Sequence, residues 1–183
     1  MRKPPKKLDA EGLADYALRT LSGRAISSGE LRLRLRRKAE RLGDVETVIA
    51  RMRDHGYVDD KQFAETFASA RRDNQGLGRA RVLRDLRARR VASGIAENAV
   101  HNAYQETNEV ELVEAYLARK YRNRDLGLEL QDPKILASAY RRLRYAGFGS
   151  SASIRVLKRY AAEAGQLESI EDSPEEDSGG HHE

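Results

Sequence analysis

Arginine supplies the chemistry open to this chain. One basic run is Arg32, Arg34, Arg36, Arg37, Lys38 and Arg41. A second is Arg71 and Arg72, followed by Arg79, Arg81, Arg84, Arg87, Arg89 and Arg90. A third is Arg119, Lys120, Arg122 and Arg124, continued by Arg141, Arg142 and Arg144 beside Tyr145. A guanidinium group is planar, permanently charged and forks onto phosphates or carboxylates. The chemistry is therefore the binding of polyanions. The candidate contact surface comprises Arg32, Arg34, Arg36, Arg37, Lys38, Arg71, Arg72, Arg79, Arg81, Arg84, Arg87 and Arg144. Few aromatic residues interleave with it, so phosphate backbone or acidic protein fits better than stacked bases. About a third of these arginines are expected to pair with acids such as Glu30, Glu40, Asp54 or Asp85, as exposed helix pairs readily and weakly do.

Residues that make or break bonds are missing from the pattern. There is no GxxxxGK[ST] loop and no GxGxxG, and Gly76-Leu77-Gly78 reads as a turn. His55 and His101 stand alone, His181-His182 lie at the end, and there is no cysteine. No spacing suits a metal ion. Asp59-Asp60 is a pair in sequence only, because neighbours at a helix start do not face each other. Capping explains it. No catalytic residue, cofactor or metal is expected, and the chain does not read as an enzyme.

The elements that carry the arginines repeat. Leu35-Arg36, Leu86-Arg87 and Leu143-Arg144 recur at spacings of 51 and 57 residues. At the same offsets Leu31, Val82 and Ala139 correspond, as do Val48-Ile49, Ala99-Val100 and Val156-Leu157. One supersecondary unit used three times gives this pattern, and each copy must lean on its neighbours to bury a core. Apolar residues follow helical spacing throughout, most regularly at Val45, Val48, Ile49 and Met52. Leu31, Leu35, Ala39 and Leu42 form the stripe of a preceding helix, and Ser27-Ser28-Gly29-Glu30 reads as its capping box. Asp44, Ser93, and Ser150 or Ser151 are the expected caps of later helices. Asn123–Asp132 is read as a loop, with Pro133 at the first position of a helix. Nine helices in three sets and no sheet are expected. In the linker, Gly56 ends one helix with positive φ, Asp59 or Asp60 caps the next, and Tyr57 and Phe63 pack between the sets.

Charge divides the chain. Lys and Arg number 34 and acids 29, a net +5, but seven acids fall in residues 168–183, leaving +12 on the first 167. Such a body attracts polyanions, nucleic acid above all. The expected organisation is a flexible basic arm over 1–10, three-helix repeats over 11–58, 59–108 and 109–165, and a disordered acidic tail over 166–183. No run of about 18 apolar residues is present, so no membrane span is expected. The basic start has no apolar stretch behind it and is no secretory signal. The lack of cysteine suits a reducing cytoplasm.

The runs ALRTLSGRAISSGELRLRLRRKAE, VIARMRDHGYVDDKQFAETFASARR and GLGRARVLRDLRARRV resemble the RecX family of regulatory proteins. The most specific residues are Gly56-Tyr57-Val58-Asp59-Asp60 with Phe63-Ala64, then Arg71, Gly78-Arg79 and Leu86-Arg87. The likeness is good from about residue 13 to 104 and looser beyond. The resemblance implies an all-α fold of three tandem three-helix, helix-turn-helix-like repeats in an elongated, curved array. It implies a cytoplasmic modulator that lies in the groove of the filament of RecA recombinase on single-stranded DNA. Such a protein inhibits strand exchange, ATP hydrolysis and co-protease function. The implied partners are the filament and DNA, single- and double-stranded, with the protein a monomer. The alternative is a transcriptional or architectural DNA-binding module. A sequence reader would concentrate Arg, Asn and Gln on one recognition helix, whereas here arginine is spread over all three repeats.

Overall fold

The computed structural model describes residues 7–161 together with Ala164 and Leu167. Of the basic arm expected over 1–10, only the part from Lys7 is described. The acidic tail expected over 166–183 lies outside the described residues, apart from Leu167.

The fold is all-α. Among the described residues there are ten helices: α1 (Ala10–Gly23), α2 (Ser28–Lys38), α3 (Leu42–Asp54), α4 (Asp60–Gln75), α5 (Arg79–Ala88), α6 (Ser93–Tyr104), α7 (Glu109–Lys120), α8 (Leu126–Glu129), α9 (Pro133–Tyr145) and α10 (Ser150–Leu157). No strand occurs among them, only one isolated bridge in which Leu8 pairs with Ala39. The chain divides into two compact units, one of Met1–Gln75 with Arg79–Thr107, the other of Gly76–Gly78 with Asn108–Glu183.

In the first unit α1, α2 and α3 pack on one another, and α4 packs on α5 and α6. The first set buries Leu13, Leu31, Leu35, Val45, Val48, Ile49 and Met52. Each such side chain removed from water stabilises the fold by about 1.5–3 kcal/mol. The second set is built from smaller residues. Ala64 and Ala68 of α4 and Ala96 and Ala99 of α6 are buried, with Val82 and Leu86 of α5. In the second unit α10 packs on α7 and α9. That core is richer in aromatics, with Tyr140 and Phe148 fully buried and the Tyr116 ring edge-on to Phe148 at 5.4 Å.

Helix ends explain the boundaries. Ser27 caps α2 by accepting from the Glu30 amide at 3.0 Å, and Asp59 caps α4 by accepting from the Gln62 amide at 2.9 Å. Asp132 caps α9, with Pro133 behind it in the first turn. Three helices stop in the same way. The amides of Gly56 and Tyr57 bond back to Arg53 and Met52, those of Arg90 and Val91 to Arg87 and Leu86, and those of Gly147 and Phe148 to Arg144 and Leu143. This is the Schellman closure, which needs a left-handed residue. Gly56, Arg90 and Gly147 have φ of 72°, 60° and 93°.

Several local expectations are corrected. Helix α2 ends at Lys38, so Leu42 leaves its stripe and is 63% exposed at the start of α3. Asp44 lies inside the first turn of α3, where a carboxylate suits the positive helix end, and the N-cap position is Arg41. Ser93 and Ser150 are first helical residues, preceded by Ala92 and Gly149, neither of which makes a side-chain cap. The stretch read as a loop holds the short helix α8, because Asp125 accepts from the amides of Gly127 and Leu128.

Candidate nucleic-acid and partner interface

The arginines of the candidate surface are more engaged than sequence spacing suggests. Arg32 makes a two-pronged bond to Glu46, at 2.8 and 3.1 Å. This bond holds the Glu46 carboxyl below its ordinary pKa and raises that of Arg32. Arg81 pairs with Asp85 one turn on at 3.0 Å, Arg87 with Glu97 at 3.0 Å, and Arg71 approaches Asp85 at 3.9 Å. Arg72 grips Asp73 at 2.7 Å, which lowers that carboxyl. These pairs exceed the expected third, because acids come from α3 and α6 as well as from one turn along each helix.

Other candidates serve the backbone. Arg72 donates to the Ala103 carbonyl, and Arg79 to the Tyr104 carbonyl at 2.6 Å. Those are the last two residues of α6, whose final carbonyls have no partner within the helix. Two arginines from α4 and the start of α5 therefore close α6. Arg79 also lies over the Tyr104 ring at 5.7 Å, and burial pushes the Tyr104 hydroxyl pKa up. Arg144 donates to the Phe148 carbonyl. Arg36 and Arg37 are exposed in the last turn of α2, Lys38 lies over Tyr16 at 5.9 Å, and Arg84 is exposed on α5.

The linker brings the first and second sets together through polar groups. Asp60 accepts from the Ser28 amide at 2.7 Å and from the Ser28 hydroxyl. Arg53 donates to that same hydroxyl at 2.9 Å. Ser27, fully buried, donates its hydroxyl to the Arg89 carbonyl. Of the two aspartates, then, Asp59 caps and Asp60 joins. Gly29 sits so close to the next set that a Cβ there would lie 2.3 Å from the Arg90 carbonyl oxygen. The second unit has a comparable contact, Gly78 against the Gly147 backbone, also at 2.3 Å.

Tyr57 does not pack between the sets. It is 55% exposed and stacks parallel to His55. It borders an open cleft of about 500 Å³ with Leu21, Ile26, Phe63 and Phe67. Phe63 is half-buried there, against the Phe67 ring at 6.0 Å. The guanidinium groups of Arg71 and Arg89 lie over Phe67 at 4.8 and 4.9 Å.

Glu30, expected from sequence to pair with arginines, sits at the centre of a hub. Arg24, Arg34 and Arg89 approach its carboxylate at 3.5, 3.9 and 3.6 Å. Three cations around one anion leave a positive surplus at this joint. Only the Glu30–Arg34 spacing was legible, since Arg89 arrives from another set. No group of acids and histidines able to hold a metal, and no helix long and apolar enough to cross a membrane, occurs among the described residues.

Comparison with known proteins agrees with this architecture. The family model for the second three-helix domain of RecX matches residues 59–100. The regulatory protein RecX of Syntrophotalea carbinolica is 31% identical over 80% of this chain and 92% of its own length. That of Deinococcus radiodurans is 31% identical over 87% of this chain and 74% of its own. The crystal structure of RecX from Lactobacillus salivarius superposes with a TM-score of 0.63 at 19% identity, covering 84% of this chain and 97% of that one.

Proposed function

Because this chain belongs to the RecX family of regulatory proteins, we propose that it acts on the RecA recombinase. In this reading it binds the filament that RecA forms on single-stranded DNA, lies in the filament's helical groove, and inhibits strand exchange, ATP hydrolysis and co-protease function. It works as a cytoplasmic monomer without a cofactor. Family likeness along most of the chain carries the reading. The basic character of α2 and α5 supports it, since an arginine-rich surface complements phosphates and acidic protein alike.

The structure narrows which residues should be tested. Arg79 and Arg72 close α6, so changing them tests folding. Arg36, Arg37 and Arg84 are the better probes, being exposed on α2 and α5. Reversing all three to Glu should leave helicity intact, as surface changes usually do. It should weaken inhibition of RecA ATP hydrolysis on single-stranded DNA at least tenfold, because like charges would then face an anionic groove. A folded triple variant that inhibits like the parent would move the contact elsewhere. Strong preference for one DNA sequence would favour a sequence-reading module.

A further inference from the structure

The third basic run of the sequence gains a shape in the second unit. An open pocket of about 430 Å³ is lined by Lys120, Tyr121 and Arg124, from the end of α7 and just beyond it, and by Lys134, Ile135, Ser138 and Arg142 of α9. Four of those side chains are cationic and none is acidic. Lys134, Ser138 and Arg142 are four residues apart, so they share one stripe of α9. Tyr121 forms a buried floor, with the Arg142 guanidinium over its ring at 5.8 Å. Glu129 pairs with Arg124 at 3.2 Å and offsets one of the four charges.

Helix electrostatics accounts for only part of this arrangement. Lys120 closes α7, and Arg142 lies in the last turn of α9, where a cation suits the negative end of a helix. Lys134 does not. It is the second residue of α9, beside the positive end, and its amide is what Asp132 caps at 2.7 Å. The Asp132 carboxylate offsets the helix end, but the other cations of the pocket still crowd Lys134. An anion in the pocket would relieve that crowding, and the Ser138 hydroxyl offers it a neutral donor.

We propose that this pocket binds backbone phosphates of single-stranded DNA. The inference rests on the reading that the protein contacts DNA, and it adds a contact site in the third helical set, beyond the family-model match at 59–100. Arg142 lies over the Tyr121 ring and Lys120 over the Tyr116 ring, both at 5.8 Å, while Lys134 is an exposed point charge.

The test is the salt dependence of single-stranded DNA binding by the full chain. Each phosphate contact contributes about 0.7 to the slope of log affinity against log salt for single strands. Lys120→Gln with Lys134→Gln should lower the slope by about 1.4, while Lys120→Arg with Lys134→Arg should keep the parent slope. Should the double Gln variant melt early, Lys134→Gln alone should still lower the slope by about 0.7. A steep parent slope unchanged in the Gln variants would overturn the pocket and leave DNA contact standing. A flat parent slope would overturn both. An unchanged DNA slope together with loss of nucleoside triphosphate binding, measured by equilibrium dialysis, would reassign the pocket to free nucleotide.

Discussion

At the scale of single residues, backbone conformation and charge make separate demands. Gly29 and Gly56 show two reasons for glycine. Gly29 has no room, so Gly29→Ala should cost about 1–3 kcal/mol by forcing the Arg90 backbone away. Gly56 has open space but φ of 72°, so Gly56→Ala should cost about 1 kcal/mol through conformation alone. Thermal melting separates the two. Arg90 occupies a left-handed position that the other two Schellman turns give to glycine. Arg90→Gly should raise stability by roughly 0.5–1 kcal/mol while weakening DNA binding at low salt. The Arg32–Glu46 pair gives a pH prediction. The folded-state pKa of Glu46 lies below its unfolded value. Its stabilisation is therefore complete above the ordinary carboxylate range and disappears as pH falls through the lowered value. The difference in melting temperature between the parent and Glu46→Gln should be small at pH 7, since the pair is exposed, and should close as acid protonates the carboxyl.

At the scale of elements, the closing of α6 by Arg72 and Arg79 sets the stability of the second set. Arg79→Ala should leave the Tyr104 carbonyl with the Thr107 amide as its remaining donor and cost about 0.5–1.5 kcal/mol, read as a lower denaturation midpoint with little change in helicity. Apolar periodicity made the helices legible, because burial depends on spacing along one element. Val45, Val48, Ile49 and Met52 all lie in the core that their spacing indicated. Caps were legible where a side chain reaches its own first turn, as at Ser27 and Asp59. They misled at Asp44 and Ser93, because a capping residue type does not fix which residue starts the helix. The arginines were the least legible feature. Whether Arg79 meets solvent or the end of α6 depends on how α4, α5 and α6 pack. Tyr57 misled for a similar reason, since polar contacts from Asp60 to Ser28 fill the role that an aromatic wedge was expected to play.

At the scale of the whole molecule, the opposition between a +12 body and a tail with seven acids has a measurable consequence. A soluble polyanion tethered to a basic surface competes with nucleic acid. Deleting residues 168–183 should tighten single-stranded DNA binding, most visibly at low salt, where screening is weak. Equal affinity with and without them would show the tail to be solubilising only. The Asp60 joint has another consequence, in hydrogen exchange. The first amides of a helix have no partner within it and normally exchange quickly with solvent. The Ser28 amide is such a group, yet it is held at 2.7 Å by a carboxylate from the following set. Its protection against exchange therefore measures the docking of one set on the next, independently of whether α2 itself is formed. A partner that pries the sets apart would expose this one amide while the amides in the middle of α2 stay slow.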